Sequence, residues 1–251
     1  MLTWTDGLAP DWPEIPGVSA FVTTRAGGIS EGPYGALNLG DHVQDNPEHV
    51  AHNRQLLADL LVSRGARPVR WRSQVHGIDV ADMDTPNPPR DADALITSQP
   101  GEVCAVLTAD CLPVLFAAKD GSQVAAAHAG WRGLVNGVLE NTLQHFACDA
   151  SRVQAWLGPA ISQAAFEVGE EVRAQFMARH AASEACFKPG KPGKWYADIY
   201  ALARIHLQAA GMAAADIHGG GLCTVADEQR FFSYRRGAQT GRMASCIWRR
   251  A

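Results

Sequence analysis

Cys111 and His128 are the residues whose types and spacing first suggest chemistry. They bracket two apolar runs, one from Leu112 and one from Val124, with Lys119-Asp120-Gly121 between them. Asp-Gly is a common tight-turn dipeptide, so the segment reads as a β-hairpin. If the turn is centred on residues 120 and 121, facing positions sum to 241. Cys111 then faces position 130 and His128 faces position 113, an offset that keeps both side chains on one face. Such diagonal neighbours lie about 7 to 8 Å apart at the backbone, and two inward-leaning side chains can bridge that gap through a shared ion. A three-residue loop or a bulge would reverse the parity and send one of them to the other face.

His76 is the third candidate. It ends the apolar run Val69-Arg70-Trp71-Arg72-Ser73-Gln74-Val75 and precedes Gly77, which places an imidazole at an expected strand end. Two imidazoles and one thiolate form a borderline-soft donor set that suits zinc, and three protein ligands leave a fourth position open. Other readings stay open on spacing alone. A cysteine in a strand is commonly a small core hydrophobe, and a histidine beside glycine is often a turn residue. Cys111 with His128 also forms a nucleophile and base pair, which would make the chain a thiol hydrolase. Gly28-Ile29-Ser30-Glu31-Gly32 fits the serine nucleophile pattern, but Pro33 follows at once and the glycine run at Gly219-Gly220-Gly221 lies after the serine rather than before it. A serine hydrolase is excluded.

The elements that must hold these residues can be read from periodicity. Strand-like runs, rich in branched and aromatic residues, fall at 19–24, 69–75, 94–97, 103–108, 114–118, 124–128, 155–158 and 244–248. Helical patterns fall at 47–61, with Asn46 as N-cap and Pro47 in the first turn, and at 134–146, 170–180 and 198–210, the last with Asp198 as cap and Gly211 as stop. Thr85 to Arg90, with three prolines, must be a loop. Hairpin-sized intervals mixed with helices indicate an α+β fold of mixed β-sheets flanked by helices rather than a regular βαβ series.

The 251 residues are expected to form a single domain. The hydrophobic fraction of 47% and charged fraction of 19% suit a folded soluble protein, and no stretch approaches the roughly 20 apolar residues of a membrane span. No signal peptide opens the chain, and six dispersed cysteines without a CxxC pair suit free thiols, so the expected location is the cytoplasm. A net charge of −4 disfavours a nucleic-acid partner and favours a small molecule. Oligomeric state is not encoded in any feature of the sequence.

Blocks in a fixed order carry a more specific message. Thr23 to Gly28, Ala36 to Gly40, Gln74-Val75-His76-Gly77, Asp91 to Thr97, Thr108-Ala109-Asp110-Cys111-Leu112-Pro113-Val114, Ala127 to Gly133, Leu157 to Ile161, Phe166-Glu167-Val168-Gly169 and Arg230 to Arg236 together resemble the laccase-domain family. These proteins are also called YfiH-like proteins or multicopper polyphenol oxidoreductases, and are associated with purine nucleoside phosphorylase and adenosine deaminase activity. The resemblance covers nearly the whole chain. It implies a fold of mixed sheets between helical layers, shared with the catalytic domain of cytotoxic necrotising factors. It also implies one zinc ion held by His76, Cys111 and His128, with copper as an alternative, and purine nucleoside and phosphate as partners. At Ser162 to Ala165 the chain departs from relatives that carry a cysteine before the aromatic residue, and that cysteine is not among the three ligands.

On that reading, adenosine deamination needs a carboxylate to move protons, and Asp110 and Glu167 are the candidates beside Cys111. Phosphorolysis of adenosine, inosine or methylthioadenosine needs guanidinium groups on phosphate, and Arg132, Arg25 and Arg54 stand in or beside the family blocks. Asn38 also lies in a block, and Phe231, Phe232 and Tyr234 offer faces for a base. A true multicopper oxidase is disfavoured, because nine histidines include no His-x-His pair. The alternatives carried forward are a Cys-His amidohydrolase acting on peptidoglycan precursors and a copper-dependent polyphenol oxidase.

Overall fold

The computed structural model describes residues 2–250. At its centre is a six-stranded sheet in the order β12 (Ile217–Gly219), β8 (Val153–Leu157), β6 (Leu112–Ala118), β7 (Val124–Ala129), β4 (Ala94–Thr97) and β3 (Val80–Asp82). Only the two outer pairings are parallel. Every residue of β4, β6 and β7 is buried, so both faces of this sheet must be covered.

Side-chain parity shows what covers them. Leu95, Leu115, Ala117, Val124 and Ala126 pack with Cys104, Val106 and Ile247 of a second, four-stranded sheet. That sheet runs β1 (Gly7–Leu8), β2 (Val18–Thr23), β13 (Met243–Arg249), β5 (Val103–Thr108) and is antiparallel throughout. Residues of opposite parity, among them Ile96, Val114, Phe116 and Ala125, pack against α2 (Trp131–Asn136), α3 (Val138–Gln144) and α5 (Ile199–Ala209). On the far side of the four-stranded sheet, α1 (Pro47–Val62) inserts Leu57 and Leu61 between Phe21, Val103 and Trp248. The layers are therefore helix, sheet, sheet, helix, as the α+β reading required. A small sheet of β10 (Phe187–Pro189), β11 (Lys194–Ala197) and β9 (Glu167–Gly169) and the helix α4 (Glu170–Arg179) complete the chain.

The hairpin that carries Cys111 and His128 has the expected register: Leu112 pairs with Ala129, Pro113 with His128 and Val114 with Ala127. The loop is wider than a two-residue turn, because Ala118 N donates to Gln123 O and the strands close there. Its centre is unchanged, so the parity of the two site residues is preserved.

Two expectations are corrected. The 134–146 helix begins three residues earlier and is broken at Gly137, whose φ of 102° lets α2 turn into α3. The 69–75 segment is irregular rather than a strand. Where a neighbouring strand would pair with β5, the Gln74 side-chain amide does so instead: Nε2 donates to Leu107 O at 2.7 Å and Oε1 accepts from Leu107 N at 2.7 Å. His76 consequently sits on a loop, not at a strand end.

Gly121 holds the hairpin turn in place. Its φ is 72°, and a Cβ there would lie 2.1 Å from Pro16 O. Gly121→Ala is expected to destabilise the fold by about 2 kcal/mol or more, read as a lower urea midpoint with unchanged slope. A midpoint equal to the parent's would contradict the register assignment.

Candidate metal centre and its cavity

Three segments deliver the site. Cys111 immediately precedes β6, His128 is the penultimate residue of β7, and His76 lies on the loop before β3. One donor atom from each lies within 4.8 Å of the others. The His76 and His128 rings meet edge to face with centroids 4.8 Å apart, and Cys111 Sγ is 3.9 Å from His76 Nε2. Exposure rises from buried His128 through Cys111 to exposed His76, so the cluster opens toward solvent.

Asp93 organises two of the three. It is fully buried at the entrance to β4, and its carboxylate accepts four hydrogen bonds. Three come from successive backbone groups, Val75 N at 3.1 Å, His76 N at 3.0 Å and Gly77 N at 2.7 Å, and the fourth from His128 Nδ1 at 2.8 Å. Burial alone would raise the Asp93 pKa, but the His128 contact and the backbone donors outweigh it and hold it below the ordinary value. By binding Nδ1, the carboxylate turns the opposite ring nitrogen of His128 toward Cys111 and His76.

Backbone strain and close packing concentrate here. His76 (φ 60°) and Asp110 (φ 85°) are the non-glycine residues with positive φ among those described, and one is a donor while the other adjoins one. Gly130 seals the floor: a Cβ there would come 2.8 Å from His76 Cδ2 and 3.2 Å from Cys111 Sγ. Gly133 lets α2 approach the His76 loop, a Cβ there falling 2.8 Å from Gly77 O.

Cys111 and His128 shift each other's ionisation before any ion arrives. Burial opposes ionisation of Cys111, but the His128 and His76 imidazoles prevail and lower its pKa to about 6. Burial likewise opposes the charged form of His128, and the Cys111 sulfur and Asp93 raise its pKa to about 9. A thiolate and an imidazolium therefore coexist near neutral pH. The donor set of two nitrogens and one sulfur, converging with one side open, fits a single zinc-type ion, making these residues a possible metal site.

The site forms one wall of a cavity of about 600 Å³. Arg54, Arg72, Arg90, Arg132, Arg235 and Arg242 line it, along with Trp71, Trp131 and Tyr234. Arg132 stacks on Trp131 at 4.4 Å, and Arg54 on Trp71 at 4.7 Å while also donating to Leu39 O and Asp41 Oδ2. Arg72 is distinctive: burial lowers its pKa, and its Nε is buried without a hydrogen-bond partner.

Other residues singled out in the sequence lie elsewhere or are already engaged. Asp110 borders the cavity, but its carboxylate accepts from Thr224 Oγ1 at 2.6 Å and Arg235 N at 2.7 Å. Glu167 lies on β9 outside the cavity lining, beside Phe166, which is part of it. Arg25 donates to Gly35 O and Glu228 O and covers the Phe232 ring. Asn38 is fully buried, its amide tying Gly40, Asp45 and Arg242 together. Phe231 is fully buried in an apolar cluster, leaving Tyr234 as the ring of that block that reaches the cavity. Ser30, from the serine-hydrolase pattern, is buried and donates to Asp45 Oδ2. Asp93, Arg72, Arg90 and Arg242 carried no sequence assignment. An aspartate directly before an apolar strand was the available signal for Asp93.

Residues 19–250 match the family model for multi-copper polyphenol oxidoreductase laccase. The chain belongs to that family. Within this laccase family it is 52% identical to the purine nucleoside phosphorylase YfiH of Escherichia coli, over 96% of this chain and 98% of that one. It is 50% identical to a purine nucleoside phosphorylase of Pseudomonas aeruginosa, over 96% and 97%. A crystal structure of a Neisseria meningitidis protein superposes with a TM-score of 0.91 at 44% identity, covering 98% of this chain and all of that one. The YlmD structure from Geobacillus stearothermophilus gives 0.85 at 32% identity, over 96% and 94%. No described helix is long and apolar enough to cross a membrane.

Two outcomes follow from this geometry. Asp93→Asn keeps the volume but presents an NH2 to groups that donate, and should weaken metal binding by about 10- to 100-fold in a chelator competition assay. Unchanged affinity would show that Asp93 does not orient the donors. Between about pH 6 and 9 the Cys111–His128 pair holds one proton, on His128, which an incoming ion must displace. Metal binding should then release about one proton from this pair at mid-range, rising to two below the Cys111 pKa and vanishing above that of His128. Calorimetry in buffers of differing ionisation enthalpy measures it, and no proton release across the range would refute the assignment.

Proposed function

We propose that the chain is a zinc-dependent purine nucleoside enzyme that cleaves the glycosidic bond of adenosine, inosine or methylthioadenosine with phosphate, and that it also deaminates adenosine. The observation that carries this reading is the convergence of His76, Cys111 and His128 on the wall of a cavity rimmed by guanidinium groups and aromatic rings. The relatives named purine nucleoside phosphorylase support it.

A cavity of about 600 Å³ suits a nucleoside with an anion beside it. Arg72 binds phosphate, since its buried Nε has no partner in the protein and an anion oxygen would satisfy it. Arg132 and Arg90, both exposed on the rim, complete the grip. Tyr234 and Trp131 stack on the base. His42, 3.7 Å from Asp41 at the rim, moves a proton through its ring nitrogens. Asp110 acts indirectly, fixing the backbone before Cys111 through Thr224 and Arg235, and Glu167 acts through the segment that carries Phe166. An ion held by His76, Cys111 and His128 would supply Lewis acidity at the reacting centre.

One observation favours a second reading. Cys111, His128 and Asp93 stand as nucleophile, base and orienting carboxylate, with the thiol already acidic, which is the constellation of a Cys-His amidohydrolase.

Inosine and adenosine offered with and without phosphate separate these readings. The proposal expects phosphate-dependent release of free base, lost with Cys111→Ala and on metal removal. Arg72→Ala should raise the KM for phosphate by about 100-fold with a smaller change for nucleoside. Full activity of chelator-treated protein on an amide, with no base released from either nucleoside, would replace the proposal with the thiol mechanism.

A further inference from the structure

Three helices outside the cavity meet at another cluster of donors. Glu140 lies on α3, His206 lies on α5, and His180 follows the last residue of α4. One donor atom from each lies within 4.8 Å of the other two. His206 is fully buried with Nδ1 2.7 Å from Glu140 Oε1, and its ring meets that of His180 edge to face at 4.7 Å. Each member also keeps one buried atom with no hydrogen-bond partner: Glu140 Oε2, His180 Nε2 and His206 Nε2. Buried polar atoms are satisfied in most proteins, and three side chains that bring one donor atom each within 4.8 Å of the others while every member keeps an atom unpaired have the capacity to hold a shared ligand. Imidazole nitrogens and a carboxylate oxygen can each offer a lone pair, which suits a cation. Two imidazoles and one carboxylate match late first-row divalent ions, zinc foremost.

We propose that Glu140, His180 and His206 form a second divalent transition-metal site that clamps α3, α4 and α5 together. Donors around tetrahedral zinc lie about 3.3 Å apart, so the observed spacing closes with small side-chain rotations, most easily of His180 just past the end of α4. Arg179, with Nη2 4.0 Å from Glu140 Oε1, is the nearest opposing charge, and its half-exposed side chain is free to withdraw into water. None of the three donors lines the cavity, so the role is structural rather than catalytic.

The test is titration of the chelator-stripped full chain with Co2+. Two equivalents are expected, one giving the intense thiolate charge-transfer absorption of Cys111 and one giving only the weak visible bands of nitrogen and oxygen donors. His180→Ala should weaken the second equivalent by at least about 100-fold and leave the thiolate band intact, because loss of a ligand exceeds the cost of losing its outer support. Glu140→Gln should do the same if His180→Ala fails to fold. In the parent chain the second equivalent should raise Tm, and in both variants it should not. A parent chain that binds one equivalent, or a second equivalent unaffected by both substitutions, would overturn the proposal. The thiolate band reports the first site independently, so a failure at either site is distinguishable.

Discussion

The buried carboxylate of Asp93 is the constraint on which the site depends. A charge removed from water must be compensated where it sits, and here all the compensation comes from the parts that need placing: three backbone N–H groups of the His76 loop and Nδ1 of His128. One group thus sets the loop path, the strained backbone at His76 and the ring orientation of His128 together. Without it the loop would have no counterpart for three adjacent donors, and the His128 ring would have no fixed tautomer.

The two stacked sheets explain why Asp93 can stand there. Cys111 and His128 share the parity of Leu115, Ala117, Val124 and Ala126, the face turned toward the four-stranded sheet. Along most of the hairpin that face is dry core. At the end of β5, Leu107 and Thr108, with Ala109 just beyond the strand, line the cavity, and the same face becomes a wall. Cys111 and His128 therefore end a hydrophobic stripe. Gly130 and Gly133 supply the close approach that α2 needs to seal the floor.

Legibility in the sequence followed the range of the forces involved. Hairpin parity depends on local turn chemistry and strand period, so β6, β7 and the shared face of Cys111 and His128 could be read before any fold was known. The caps at Asn46 and Asp198 are local too, and both side chains accept the expected backbone bonds. The 69–75 segment was misread because its alternation is that of a strand, whereas a side-chain amide from Gln74 replaces the ladder and frees Trp71 and Arg72 to face the cavity. Phe231 and Tyr234 are three residues apart with similar sequence signals, and only tertiary packing makes one core and the other a cavity lining. The roles of Asp93 and the unpaired Arg72 went unassigned for the same reason: burial and missing partners are properties of the assembled molecule. Family resemblance placed His76 with the other two donors, and Asp93 supplies the physical reason it belongs there.

The central claim is that Asp93 holds His76 and His128 so that, with Cys111, they bind one metal ion. An anomalous difference map recorded at the zinc edge on crystals of the zinc-loaded protein tests it most directly. The account predicts a peak bounded by the three side chains, with one sulfur at about 2.3 Å and two nitrogens at about 2.0 to 2.1 Å, and all four Asp93 hydrogen bonds intact. No peak between them, or an ion bound with Asp93 turned away from the His76 loop, would contradict it.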